Sequence, residues 1–282
     1  MTKIPRRFHF VFGLRPQTSP FHIVHYLCLK SCIEVERPES VHFHCHHEPY
    51  GPLWDRIRPA LSVHRIEQDL WVRDHPSYFE HQEGRFIQGW NLGYAHQSDF
   101  VRLRVLLEHG GVYADMDTLF VQPLPAARFG EDFVIGEEKL GDGPDMGTHR
   151  RSLCNAFLMC TPGAEFPTVW LRRMREVFDG TWSRHSCQEA TELQARMPGT
   201  VCVAPARNHF LHPCTPEGIR TLLEDLDTDT RDVYSLHLWA HVWWSPLRVD
   251  FTSFHAGLLT EQFIRDVDTT YTVAARRFLD AR

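Results

Sequence analysis

The run SDFVRLRVLLEHGGVYADMD at residues 98–117 constrains this chain more than any other segment. Phe100, Leu103 and Leu107 fall on one helical face, Val101 and Val105 lie beside it, and Gly110 supplies a C-terminal stop. Gly111 then begins GVYAD, a short apolar strand that delivers Asp115 and Asp117 to its end with only Met116 between them. Alternation along a strand points both carboxylates the same way, so one cation can be shared by the two. Two charges at the end of an otherwise buried strand are costly to desolvate unless they meet a partner. A hard divalent ion such as Mg²⁺ or Mn²⁺ takes oxygen ligands and keeps room for phosphate oxygens, so the pair suits a pyrophosphate clamp.

The flanking segments alternate between strand and helix. RFHFVFG (7–13) is a β-type run ended by Gly, and about Ser19 to Glu36 has helical spacing with Ser19 as N-cap and Pro20 at the first position. SVHFHCH (40–46) alternates again, and Leu61 to Ile66 offers a third strand, while Trp71 to Gly93 carries no clear period. Downstream, 133–138, 154–160 and 201–205 read as strands and 166–178 and 188–196 as helices. The Trp-rich stretch 235–244 completes the sheet material, and 260–279 closes the chain as a helix. Strand, helix, strand is the opening of a doubly wound α/β sheet. No repeat or linker interrupts it, so residues 1–282 are expected to form one domain, with halves at about 1–125 and 126–282.

Composition narrows the partners. A net charge of −6 argues against a nucleic-acid binder, and only three of the 30 basic residues are lysines. No secretory signal and no membrane-length apolar window is visible, which leaves only peripheral membrane association open. The eight cysteines form no Cys-x-x-Cys pair and read as buried free thiols, as expected of a cytoplasmic protein. The oligomeric state is not set by the sequence.

Residues 98–117 followed by Pro123-Leu124 resemble the Ser-Asp-x-x-Arg…Gly-Gly-x-Tyr-x-Asp-x-Asp…Pro-Leu signature of the Asp-x-Asp sugar-transferase family. That family includes fungal Golgi mannosyltransferases, bacterial capsular polysaccharide transferases and, more distantly, the glucosylating toxins. IPRRFHFVFG, CNAFLMCTPG and HLWAHVWW sit where the family carries its first strand, an Asn-containing strand and a His-x-Trp tail. The resemblance implies a GT-A type, Rossmann-like, mixed and mostly parallel sheet flanked by helices. It also implies a nucleotide-sugar donor, a UDP-sugar first and a GDP-sugar second, with Mn²⁺ or Mg²⁺, a hydroxyl acceptor and retention at the anomeric carbon.

By the same resemblance Asp117 is a direct metal ligand, and Asp115 holds the ribose and donor sugar and reaches the metal. Asp99 accepts from sugar hydroxyls, Arg102 donates to sugar or phosphate, and Asn155 lies near the reacting sugar or acceptor. Phe10, Val11, Phe12, Tyr113 and Met116 line the nucleotide, with Phe12 either stacked on the base or packed in the core. His237 is the candidate third ligand, against His241 and His255, and Trp239 and Trp243 close over the diphosphate. The acceptor is expected in loops 68–95 and 140–153.

His42, His44 and His46 lie on one strand face about 6–7 Å apart, too far for a single ion without a second element. They are read as a sheet face covered by a helix or lining the cleft mouth. One alternative function is a haloacid-dehalogenase-like phosphohydrolase, since Asp115-Met116-Asp117-Thr118 also fits a nucleophile loop and Gly141 to Asp145 mimics a late acidic motif. Its spacing is against it, because fewer than the ~30 residues of one βαβ unit separate the two motifs. The other alternative is a non-catalytic sugar- or metal-binding module on the same scaffold.

Overall fold

The computed structural model describes residues 3–76, 93–139 and 151–280. Among them, β1 (Arg7–Phe12), β2 (Ser40–Cys45), β3 (Ser62–Arg65) and β4 (Gly111–Ala114) pair in parallel, in the order β3-β2-β1-β4. After β5 (Thr118–Phe120), the strands β6 (Phe133–Lys139), β7 (Arg151–Cys160) and β8 (Cys202–Ala204) extend that sheet as β4-β7-β6-β8. β7 is antiparallel to both β4 and β6, and β6 is parallel to β8. The result is the expected mixed, mostly parallel sheet, and helices flank it. The helices are α1 (Ile23–Ser31), α2 (Pro52–Ile57), α3 (Leu70–Asp74), α4 (Gly93–His109), α5 (Glu165–Val177), α6 (Glu189–Arg196), α7 (Ala206–His209), α8 (Pro216–Leu223), α9 (Glu261–Asp266) and α10 (Thr270–Ala275).

Period two sorts the strands between two cores. Phe8, Phe10, Val112 and Ala114 join one cluster with Val24 and Leu27 of α1. Val11, Tyr113 and Leu158 join the other, with Phe100, Leu103 and Leu106 of α4. Leu106 is fully buried and Leu107 only partly, so the buried face of α4 is rotated from the expected stripe. At the end of α4, Gly110 and Gly111 have φ of 65° and 113°, and a Cβ on Gly111 would stand 2.3 Å from the Arg7 carbonyl oxygen. That corner therefore requires glycine, and it turns the helix straight into β4.

Three expectations are corrected. The N-cap of α1 is His22, whose ring accepts from the Val24 amide, rather than Ser19. Only Ser235–His237 of the Trp-rich stretch is a strand, β9, and it pairs with β5 in a separate two-stranded sheet. The closing segment is two short helices, because Thr269 caps a new start with a reciprocal bond to Thr272. All eight cysteines are free, and no helix among the described residues is long and apolar enough to cross a membrane.

The histidine face of β2 is completed by its neighbours rather than by His46. His9 Nδ1 lies 3.2 Å from His44 Nε2, and His42 Nδ1 lies 2.8 Å from His64 Nε2. The rings stack across β1, β2 and β3 at centroid distances near 5 Å, such as 4.9 Å for His9 and His42. Burial and the other imidazoles press these rings toward the neutral form, His9 to about 3 and His44 to about 2.

Candidate active site

Because β4 alternates, Tyr113 and Asp115 face α4, where the spacing of three puts Asp99 beside Arg102. The Tyr113 hydroxyl donates to Asp115 Oδ1 at 2.5 Å, and Arg102 Nη1 lies 3.3 Å from the same oxygen. From β7, the Asn155 amide donates to Asp99 Oδ1 at 2.7 Å, and the Asn155 carbonyl accepts from Arg102 Nη1 at 2.7 Å. The remaining Arg102 nitrogens face Ser98 O, Ser98 Oγ and Asp99. The guanidinium, which lies over the Tyr113 ring, thus has protein acceptors on all its nitrogens, and Arg102 as a whole is 5% exposed. Burial works against charge on Asp99, but Arg102 and His185 outweigh it and hold the carboxyl below its usual range.

The two aspartates converge through a turn and not through strand alternation. Thr118 N donates to Asp115 O at 3.1 Å, closing a tight corner between β4 and β5. Pairing of β5 with β9 then sets His237 opposite Thr118. The backbone amide of Leu238 donates to Asp117 O at 2.9 Å and that of Ala240 to Asp117 Oδ2 at 2.7 Å. His237 Nε2 stands 3.3 Å from Asp117 Oδ1 and 3.8 Å from Asp115 Oδ2.

Asp115, Asp117 and His237 offer two carboxylate oxygens and one imidazole nitrogen, all within 4.8 Å of one another. Both ring nitrogens of His237 are buried without a hydrogen bond of proper geometry. Burial disfavours charge on that ring, yet Asp117 and Asp115 push it up to about 10, and His237 in turn holds Asp117 well below the usual carboxylate range. Two carboxylates beside a buried imidazole are a donor set that a Mn²⁺ or Mg²⁺ ion fits. Side-chain exposure falls from 27% at Asp115 to 13% at Asp117 and 5% at His237, so the open side of the cluster is at Asp115.

The other expected residues divide. Phe12 is half-buried against His25 and Phe21, with centroids at 4.6 and 5.6 Å. Phe10 and Trp243 are fully buried in the core, and the Trp243 indole donates to Leu238 O, so neither ring reaches a ligand as expected. Val11 is 7% exposed on the α4 side, and Met116 is buried while its carbonyl accepts from His25 Nδ1 at 2.8 Å. Trp239 is buried too: its indole donates to His212 O at 2.9 Å and its ring edge braces His237 at 4.3 Å, on a left-handed backbone with φ 53°. Of the rivals, neither His241 nor His255 belongs to the cluster at Asp115 and Asp117.

Sequence reasoning missed His185, whose Nε2 lies 3.0 Å from Asp99 Oδ2, and His25 under the Asp115–Asp117 turn. Neither has a local signal, since His185 is 86 residues from Asp99. Gly141 to Asp145 and most of the loops expected to hold the acceptor lie outside the described residues.

The chain is similar to several known proteins. Residues 52–140 match the model of a family described as "Glycosyltransferase sugar-binding region containing DXD motif". The chain is 25% identical over 283 residues to "Glucan organizing enzyme 1" of Cryptococcus neoformans var. grubii, covering 98% of this chain and 71% of that protein. Among solved structures it is similar to the galactosyltransferase LgtC in complex with donor and acceptor sugar analogs, at 13% identity and a TM-score of 0.49 over 98% and 97% of the chains. It is also similar to the PaToxG glycosyltransferase, at 13% identity and a TM-score of 0.45 over 69% and 70%.

Proposed function

We propose that this chain is a glycosyltransferase that moves a hexose or related sugar from a nucleoside diphosphate to a hydroxyl acceptor, with a divalent cation held by Asp115, Asp117 and His237. The observation that carries the reading is the convergence of two carboxylates and a buried imidazole, with their ligand atoms within 4.8 Å of one another. Breaking the sugar–phosphate bond leaves an oxocarbenium-like sugar and an anionic nucleoside diphosphate, so catalysis means stabilising that leaving group. A bound Mn²⁺ or Mg²⁺ supplies that positive charge.

The chain's own residues prepare the ground for it. Asp115, the most exposed of the three, meets the donor, while Tyr113 and Arg102 fix its carboxylate. Asp99, Asn155 and His185 hold Arg102 and the floor of the site, so we assign them as positioning residues whose bonds face inward. Phe12 presents the part of its ring left uncovered by Phe21 and His25 to the base. A UDP-sugar is the first donor to test and a GDP-sugar the second, with retention judged by the anomeric configuration of the product. The proposal takes the whole chain as one working domain, and eight free thiols support a cytoplasmic setting.

The test is donor hydrolysis and transfer with Mn²⁺ and with EDTA, preceded by a thermal-shift screen of nucleoside diphosphates and nucleotide sugars, since only a matching ligand stabilises the fold by mass action. Equal rates in EDTA, or normal activity in Asp117→Ala, would reject the metal site.

A further inference from the structure

A second set of ligand atoms lies apart from the Asp115–Asp117–His237 cluster. Glu138 of β6, Cys154 of β7 and Cys187 of the π-helical turn Arg184–Gln188 bring a carboxylate oxygen and two Sγ atoms within 4.8 Å of one another. The β6–β7 register pairs Glu138 with Ser152 and Gly136 with Cys154, so Glu138 and Cys154 are diagonal neighbours on one sheet face. Cys154 is 4% exposed and Cys187 half-buried. The Cys187 thiol points at Asn155 Oδ1, 3.7 Å away. The same turn carries His185, the partner of Asp99.

Two sulfurs and one oxygen are the wrong donors for Mg²⁺ and the right ones for a softer ion. Zinc in tetrahedral sites binds thiolate at ~2.3 Å and carboxylate at about 2.0–2.2 Å, which places ligand atoms roughly 3.7 Å apart. The set needs to contract by only about 1 Å, and one half-buried side chain, Cys187, can supply that movement. On coordination each thiol gives its proton to solvent, and the contact from Cys187 to Asn155 is replaced by a bond to the ion.

We infer that Glu138, Cys154 and Cys187 form a second cation site, for one thiophilic divalent ion of the zinc type, coupled through Asn155 to the Asp99–Arg102 network. The inference does not depend on the donor reading, and its test reads binding instead of activity.

The full chain, kept reduced and saturated with Mg²⁺, is titrated with Co²⁺ as a spectroscopic stand-in for zinc. The expected result is a thiolate-to-cobalt charge-transfer band that saturates at one ion per chain and is abolished by one equivalent of Zn²⁺. Cys187→Ser should weaken Co²⁺ binding 10-fold or more, and Asp117→Asn should leave the band in place. Cys187→Ser carries the test if Cys154→Ser fails to fold, because Cys187 is the less buried of the two. Absence of the band, or an undiminished band in Cys187→Ser, would overturn the site. Loss of the band in Asp117→Asn would overturn its separation from the aspartate cluster.

Discussion

The Asn155 side chain donates to Asp99 Oδ1 at 2.7 Å, tying β7 to α4 across 56 residues of chain. Through Arg102, which also bonds the Asn155 carbonyl, the tie reaches Asp115 at the open edge of the site. A hydrogen bond to a charged group contributes about 1.5–3 kcal/mol. Asn155→Ala should therefore lower the unfolding free energy by about that amount in urea titrations. Asn155→Asp sets like charge against Asp99 and should cost more; an Asn155→Ala protein as stable as the parent would show that the bond does not matter.

Arg102 is buried among Asp99, Asp115 and Ser98 with no nitrogen left for solvent. Removing one member of a buried charged set destabilises by about 3–5 kcal/mol, so Arg102→Met should fall in that range. Arg102→Lys should recover only part, because a point charge cannot reproduce a planar fork. Chemical denaturation of the three proteins checks the order.

His237 and Asp117 are expected to act on cation affinity before anything else. His237→Ala and Asp117→Asn should each weaken Mn²⁺ binding at least 10-fold by calorimetry. Asp117→Asn should also lower kcat about 10²–10³-fold, the scale of losing one preorganised electrostatic element. Unchanged Mn²⁺ affinity in both variants would remove the cluster from consideration as a metal site.

Acid should unfold the protein through the histidine row. Burial lowers the folded-state values of His9 to about 3 and His44 to about 2, and His42 and His64 are lowered as well. The unfolded chain therefore binds more protons below pH ~6.5, and stability falls as pH drops from there toward the folded values. Each such group contributes a slope of about 1.4 kcal/mol per pH unit while only the unfolded state is protonated. His44→Gln cannot titrate, so its slope between pH 6 and 4 should be shallower by about that figure. An identical slope would assign acid sensitivity elsewhere.

Gly111→Ala should be among the most damaging single changes. Its φ of 113° and the 2.3 Å approach to Arg7 O leave no place for a methyl group. A cost of about 3 kcal/mol or more is expected, read as a lowered melting temperature or insoluble expression. A variant as stable as the parent would show that the α4–β4 corner can relax.

Much of the scaffold was readable in the chain because period-two and period-3.6 patterns are local. The strands at 7–12, 40–45, 62–65 and 111–114, the long helix before the last of them and the glycine corner all announce themselves within a few residues. The Asp-x-Asp turn carries its own signal too, since two acids after an apolar strand need a partner. Patterns fail where a tertiary neighbour decides. Trp239 and Trp243 look like exposed ligand-binding aromatics, yet their indoles donate to His212 and Leu238 in the core. His42 and His44 are expected on one sheet face under a helix or at the cleft mouth, and it is the rings of His9 and His64 on the neighbouring strands that stack against them.

By itself the sequence determined the class of fold and set the two aspartates just beyond an apolar strand, because each depends on residues within one or two elements. Only the tertiary structure decided which histidine joins them, and that Arg102 faces inward. His237 arrives through the β5–β9 pairing and His185 through a turn beyond α5. Such partners meet by chain crossing, and spacing along the chain holds no record of it.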